Sequence, residues 1–280
     1  MNQRTIIITG ASDGIGAAAA RKLSNDGAHV VIVGRSPAKT AAIAAELGVD
    51  FFVADFAQLA EVRGLATELQ ERYPRIDVLV NNAGGIMGGR ELTVDGHEKT
   101  FQVNHLAPFL LTTLLLDRLT ESSATVVNTS SAANSVFGKF DLDDLDAERS
   151  YSANRAYGNA KLANILFTRE LHHRFHDRGI NTAAFHPGVV ATGFAAGSTS
   201  VMRVIYRTPL KRFLMPPEQG ADTLTWLATA TPGTDWISGE YYEKRVVQKA
   251  NPQAYDPALA AGLWARSEAM THESAAPVPE

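Results

Sequence analysis

The stretch that most constrains this chain lies at its start, where Thr5-Ile6-Ile7-Ile8-Thr9 runs into Gly10-Ala11-Ser12-Asp13-Gly14-Ile15-Gly16 and then into a helix-patterned segment from Ala17 to Leu23. A short β-branched run favours a buried strand, and the glycines behind it allow a sharp turn and a close approach to a ligand. A helix opening directly after such a turn offers unpaired N–H groups and the positive end of its dipole, which together suit a pyrophosphate. Strand, glycine turn and helix in this order predict an α/β chain that begins with a dinucleotide site. The spacing is Gly-x-x-x-Gly-x-Gly, so the common fingerprint Gly-x-Gly-x-x-Gly is met in mechanism and not in letter. Alone, the stretch also reads as a plain turn.

The alternation continues. His29 to Val33 is a second strand pattern, Ala38 to Leu47 a helix, Asp50 to Val53 a third strand, Leu59 to Tyr73 a helix and Asp77 to Val80 a fourth strand. This rhythm predicts a Rossmann-type, doubly wound parallel sheet of about seven strands flanked by helices on both faces, with ligands at the strands' carboxyl ends. The polar motifs fall at those ends. Where an acid would meet a ribose 2′-hydroxyl, the chain has Gly34 followed by the cation Arg35, which suits a 2′-phosphate; NADP is expected over NAD, with NAD still an option. Asp13 in the glycine loop argues the other way, because it adds negative charge near the phosphates. Asp55, with Phe56 beside it, either accepts from an adenine amine or caps the next helix. Asn81-Asn82-Ala83-Gly84-Gly85 closes the fourth strand.

From Asp95 to Leu119 the pattern is helical and unusually apolar, and Pro108 is expected to bend it or delete one backbone hydrogen bond. The Leu106 to Leu116 and Ala163 to Phe167 faces read either as core or as the interface of a homodimer or homotetramer. Asn104, an amide on that helix, needs partners. Ala124 to Thr129 is a fifth strand ending at Ser130-Ser131, where a serine could donate to a substrate carbonyl oxygen. The acidic segment from Ala132 to Asn154, with Asp141, Asp143, Asp144, Asp146 and Glu148, lacks a convincing metal-ligand set and reads as a solvated flap. A long helix to about Asp177 then begins near Tyr157 and Lys161. Four residues apart, the two share one helix face, and an ammonium near a phenol favours the phenolate and lowers its pKa from about 10. The pair is a candidate general acid/base; the bland alternative is a surface Tyr near a surface Lys.

After a sixth strand, Asn181 to Phe185, comes His186-Pro187-Gly188-Val189-Val190-Ala191-Thr192, and there the alternation breaks. Val201 to Met215 places Arg203, Arg207, Lys211 and Arg212 among apolar residues, which predicts a lid over 193–216 or a surface that touches anionic lipid. Helix-like Glu218 to Ala230, a strand candidate at Gly239 to Glu243, a helix near Leu259 to Met270 and a frayed tail over 271–280 follow. Without repeats or a linker, 1–280 reads as one domain. The absence of Cys excludes disulfides, thiolate metal sites and thiol nucleophiles, and no metal site is expected. A net charge of -4 leaves no global footprint for nucleic acid, so no DNA or RNA partner is expected. With no signal-like start and no long apolar run, no integral membrane segment is expected, and the protein is expected to be soluble and cytoplasmic.

Taken in order, Thr9-Gly10-x-x-x-Gly14-x-Gly16, Asp55, Asn81-Asn82-Ala83-Gly84, Asn104, Ser131, Tyr157-x-x-x-Lys161, Pro187-Gly188 and Thr192 resemble the short-chain dehydrogenase/reductase superfamily over nearly the whole chain. The strings Phe101 to Leu106 and Tyr157 to Phe167, and the 26-residue separation of Ser131 from Tyr157, resemble its retinol dehydrogenase and protochlorophyllide reductase-like branch. The absence of Cys argues against the light-dependent reductase, and there is no amino-terminal anchor of the kind many retinol dehydrogenases have. The resemblance implies hydride transfer between NADP(H) and a carbonyl or secondary alcohol, and the apolar residues of the expected pocket suggest that this belongs to a lipophilic or aromatic small molecule. It implies that Tyr157 exchanges the proton, Ser131 hydrogen-bonds the same oxygen, Lys161 tunes Tyr157 and binds the nicotinamide ribose, and Asn104 holds a water. For the cofactor it implies Gly10, Ser12, Asp13, Gly14, Ile15 and Gly16 at the pyrophosphate, and Arg35 at the 2′-phosphate. Asp55 and Phe56 would lie near the adenine, Asn82, Ala83 and Gly84 near its ribose, and Pro187, Gly188, Val190 and Thr192 at the carboxamide. A substrate pocket is expected from Ile86 to Glu91, Asn134 to Phe140 and Val189 to Met215. A non-catalytic dinucleotide sensor would lack one of Ser131, Tyr157 and Lys161, and all three are present; a methyltransferase is disfavoured by Arg35 and the Tyr-Lys pair.

Overall fold

Ile6, Ile7 and Ile8 are completely buried, as a strand enclosed on both faces requires. The structure, a computed structural model, describes residues 3–188 and 215–273. Its strands are β1 (Thr5–Thr9), β2 (His29–Gly34), β3 (Asp50–Val53), β4 (Val78–Asn81), β5 (Thr125–Thr129), β6 (Asn181–Phe185), β7 (Glu240–Glu243) and β8 (Val246–Val247). They form one sheet in the order β3-β2-β1-β4-β5-β6-β7-β8, parallel except for the β7-β8 pair. About seven strands are expected from the sequence; β8 is the addition, a two-residue edge strand folded back through Lys244 and Arg245, both at positive φ (51° and 63°) as a tight hairpin turn demands. Because β1 pairs with β2 on one side and β4 on the other, the order reverses between β1 and β4. A crevice at that reversal is where a doubly wound sheet takes its ligand.

Side chains alternate between two cores. Ile7, Val31, Leu79 and Val126 pack against α3 (Leu59–Arg72), α5 (Ala107–Leu114) and α8 (Ala153–Phe175), while Ile6, Ile8, Val30 and Val80 pack against α1 (Gly14–Asn25) and α10 (Asp222–Thr229). Each such burial stabilises by roughly 1.5–3 kcal/mol per large side chain. The remaining helices are α2 (Pro37–Leu47), α4 (Lys99–Phe101), α6 (Leu116–Glu121), α7 (Ala133–Phe137), α9 (Pro217–Gly220) and α11 (Pro257–Glu273). α2 shows its causes locally: Ser36 caps it, Pro37 opens it and Gly48 at φ 64° ends it.

Three expectations are corrected. The helix expected from Asp95 starts at Lys99, because Gly96 turns the chain at φ 85° and the Glu98 carboxylate caps the amides of Thr100 and Phe101. Between α4 and α5 the chain makes a π turn, Gln102–Leu106, in which the Ala107 amide reaches the Gln102 carbonyl. The bend expected at Pro108 is absorbed there. The acidic segment is not simply a flap: α7 lies within it, and Asp146 turns inward to accept from the Glu98 amide at 2.8 Å and to sit 3.6 Å from His97. The tail expected to fray from residue 271 is still helical to Glu273, with Thr271 buried and its carbonyl bound by Arg63. Among the described residues, no helix is long and apolar enough to cross a membrane.

Candidate active site

The glycine turn sits on the end of β4. Gly10, at φ 68°, lies where a Cβ would come 2.7 Å from Ala83 Cα, and a Cβ on Gly16 would come 2.7 Å from Asn82 Nδ2. The turn is therefore closed by backbone contact that only glycine permits. Asn82 fastens it: Nδ2 donates to the carbonyls of Thr9 (3.0 Å) and Gly10 (3.3 Å), while Oδ1 accepts from Thr129 Oγ1. The Thr9 hydroxyl accepts from the amides of Asn82 and Ala83. With its side chain committed in this way, Asn82 shapes the crevice from within the protein.

Asp13 caps α1 by accepting from the Gly14 amide at 2.7 Å, and the amides of Ile15 and Gly16 follow in a first turn that has no intrahelical partners for them. Its negative charge is answered by Lys39, 3.1 Å away on α2, whose hydrogen bond holds the Asp13 carboxyl below the usual range. Lys39 escaped sequence reasoning; its signal was a cation four residues after Arg35 in the first turn of the next helix. Ser12 lies over Gly34, where a Cβ would come 2.8 Å from Ser12 Cβ. Arg35 beside it is exposed and, among the described residues, makes no ion pair. Asp55 does not cap α3: its carboxylate closes a local turn onto the Ala57 amide, and Asp95, 36 residues away, accepts from Leu59 at the helix start. Phe56 is buried in the core, its carbonyl bound by Gln102.

Asn104, Tyr157 and Lys161 converge at the ends of β4 and β5. Tyr157 and Lys161 do share a face of α8, the ammonium standing 5.5 Å from the phenol ring centre. Lys161 is 1% exposed, and burial pushes its pKa down to about 7. That moderates the expected effect on Tyr157, because in the protein alone the amine is only partly charged near neutrality. Asn104 donates to the carbonyls of Gly85 and Thr100, both at 2.8 Å, and accepts from the Gly85 amide. Gly84 makes room for both: a Cβ there would overlap Asn104 Oδ1 and lie 3.2 Å from Lys161 Nζ. Ser131 Oγ accepts from the Ala133 amide at 3.2 Å, which leaves its hydrogen available to another acceptor. α7, which begins just after Ser131, packs on Gly158, where a Cβ would come 2.8 Å from Phe137 Cβ. Ser131 thus stands at the start of a helix that packs on α8 at the residue next to Tyr157.

Of the expected substrate pocket, Asn134 and Phe140 are withdrawn. Asn134 is wholly buried and bonded to Ser131, Tyr241 and Asn251, and Phe140 belongs to the core beside Ala160 and Leu162. Val136 (68% exposed) and Phe137 (44%) are exposed apolar side chains, and Ile86 and Met87 are half-buried. Pro187 and Gly188 follow β6, Gly188 at φ 83° with the Met215 side chain against it. Val190, Thr192, Arg203, Arg207, Lys211, Arg212 and all but the last two residues of the expected lid lie outside the described residues.

The residues present fit a nicotinamide dinucleotide: a glycine-closed turn on a helix start at the sheet's reversal, cations at the end of β2 and a buried amine beside a tyrosine. Comparison with known proteins agrees. A family model described as short chain dehydrogenase matches residues 4–202. The Streptomyces sp. (strain C5) protein named "Putative daunorubicin C-13 ketoreductase DnrU" is 43% identical over 279 residues, covering 97% of this chain and 94% of that one. Human retinol dehydrogenase 12 is 37% identical over 269 residues, covering 93% and 84%. Among solved structures, a Pseudomonas aeruginosa RhlG/NADP active-site complex aligns with a TM-score of 0.67 at 27% identity, covering 85% of this chain and 93% of that one.

Proposed function

The chain belongs to the short-chain dehydrogenase/reductase family of oxidoreductases, in its retinol dehydrogenase-like branch, and from that premise we propose that it is an NADP(H)-dependent enzyme of carbonyls or secondary alcohols on lipophilic or aromatic small molecules. The observation that carries the reading is the enclosed Lys161 amine, set on one helix face with Tyr157 and next to Asn104 and Gly84. A bound nicotinamide supplies or accepts the hydride. In the reducing direction Tyr157 donates a proton to the substrate oxygen, and the Ser131 hydroxyl, which accepts from the Ala133 amide with one lone pair, donates its hydrogen to the same oxygen. Lys161 holds the nicotinamide ribose hydroxyls; the negative dinucleotide favours its ammonium, which in turn favours the Tyr157 phenolate. Asn104 steadies a water behind Lys161.

Gly10, Gly14, Ile15 and Gly16 receive the pyrophosphate, and Arg35, with Lys39 and Ser12 nearby, receives a 2′-phosphate, which supports NADP over NAD. The exposed apolar side chains of Val136 and Phe137 support a lipophilic substrate, as do the names of two relatives, one for retinol and one for daunorubicin. Nucleotide binding followed by an NADPH-consumption screen over ketones and aldehydes tests the reading. NADPH is expected to bind at least about tenfold more tightly than NADH, and Arg35→Ala to narrow that ratio. Tyr157→Phe is expected to lower turnover by about 10²-fold or more with NADPH binding kept. Binding of neither nucleotide would sink the proposal, and near-normal turnover in Tyr157→Phe would sink the proton assignment.

A further inference from the structure

Lys161 does not hold its place alone. Its ammonium donates to the main-chain carbonyl of Thr129 at 3.1 Å, and the same carbonyl accepts from Asn164 Nδ2 at 3.0 Å. A carbonyl oxygen has two lone pairs, so these two donors fill it. Asn164 stands three residues further along α8, on the same side of the helix. Its Oδ1 lies 3.3 Å from Nδ1 of His105, and Nε2 of His105 lies 2.9 Å from Ser267 Oγ on α11. Since the amide's NH₂ group is committed to Thr129, its oxygen must accept. The imidazole proton is thereby assigned to Nδ1, and Nε2 accepts from the Ser267 hydroxyl.

Every member of this chain is buried: Asn164, His105 and Ser267 are each 3% exposed or less. The rings of Phe101, Phe109 and Phe167 lie within 6.2 Å of the imidazole, and burial among them keeps it neutral, with its pKa pushed down to about 4. In such a place apolar side chains would pack at no cost in unmet hydrogen bonds, whereas His and Asn need every partner satisfied. The π turn brings the chain together: Asn104 meets Gly84 and Gly85 next to Lys161, while its neighbour His105 meets Asn164.

From this geometry we infer that Asn164 and His105 are positioning residues, which hold the Thr129 carbonyl, and through it the Lys161 ammonium, where Lys161 meets the dinucleotide, with Ser267 tying that seat to α11. The inference rests on the proposed role of Lys161 in binding the dinucleotide. NADPH affinity, read from nicotinamide fluorescence, and thermal unfolding are measured on the full chain for the unsubstituted protein, Lys161→Met, Asn164→Leu, His105→Asn and His105→Gln. The amide nitrogen of Asn reproduces the Nδ1 donor, whereas that of Gln reproduces Nε2 and leaves Asn164 without one.

Lys161→Met is expected to weaken NADPH binding by about tenfold or more, and Asn164→Leu and His105→Gln to weaken it by about fivefold or more. His105→Asn is expected to bind within about twofold of the unsubstituted protein even though its midpoint of unfolding falls as far as that of His105→Gln. A cluster that served packing alone would order the affinities by thermal stability. That order would overturn the inference, as would unchanged affinity in Asn164→Leu and His105→Gln beside a weakened Lys161→Met. If Asn164→Leu does not fold, the two His105 variants decide. If the unsubstituted protein binds no NADPH, the cofactor reading fails first and the inference falls with it.

Discussion

Enclosing an amine makes the stability of this fold depend on pH in an unusual direction. Burial lowers the pKa of Lys161 from 10.5 to about 7, so between those values the unfolded chain holds a proton that the folded chain lacks. Stability of the protein without cofactor therefore rises with pH in that window, by about 1.4 kcal/mol per unit from this group, and below it the penalty is complete and constant. Lys161→Met removes the term. Its stability relative to the unsubstituted protein, measured by urea unfolding from about pH 7 to about pH 9.5, is expected to fall as pH rises; a flat difference would mean the ammonium is not desolvated. At this scale the sequence revealed side chains that act through fixed spacing. Tyr157 and Lys161 were legible because four residues of helix set them on one face. Lys39, Asn164 and His105 were not, because their partners Asp13, Thr129 and Ser267 are joined to them only by the folded sheet and α11.

Elements were legible where their signals are local. The β-branched runs of β1, β2, β4 and β5 announce buried strands, and the Ser36-Pro37 and Gly48 signals bound α2. The segment before α4 misled because Asp95 was read as the first turn of a helix. In the structure it is a cap at a distance, accepting from the Leu59 amide at 2.9 Å and from Gln102 Nε2 at 2.7 Å. Asp95→Ala removes the acceptor for both the start of α3 and the entrance to the π turn. It is expected to cost about 1–2 kcal/mol of unfolding free energy in chemical denaturation, with Asp95→Asn recovering part of it. α7 was missed for a related reason. Its five residues carry too little periodicity to show in sequence, and it is held by the Asn134 and Asn251 bracket rather than by its own propensity.

At the scale of the molecule, the faces that sequence left open between core and subunit interface are packed in large part within the chain itself, with Leu114 and Leu116 still half-exposed. Phe109 of α5 and Phe167 of α8 meet Trp264 of α11, at 5.1 and 5.8 Å between ring centres, and Arg174 lies over the same indole. An apolar helix face looks the same in sequence whether a second copy or a helix some hundred residues later covers it, which is why periodicity could not decide. Trp264→Ala is expected to cost about 3–5 kcal/mol, seen as a lowered urea midpoint, because so large a void among aromatic rings does not collapse. The position of α11 also sets an order of events. During synthesis, β1 to β6 leave the ribosome before Asn251 and Ser267 do. A nascent chain halted short of residue 251 already carries the glycine turn and the Tyr157-Lys161 pair, yet it lacks the Ser267 hydroxyl that meets His105 and the Trp264 indole that packs on Phe109 and Phe167. The hydrogen-bonded chain behind Lys161 is therefore complete only once the last helix has been made.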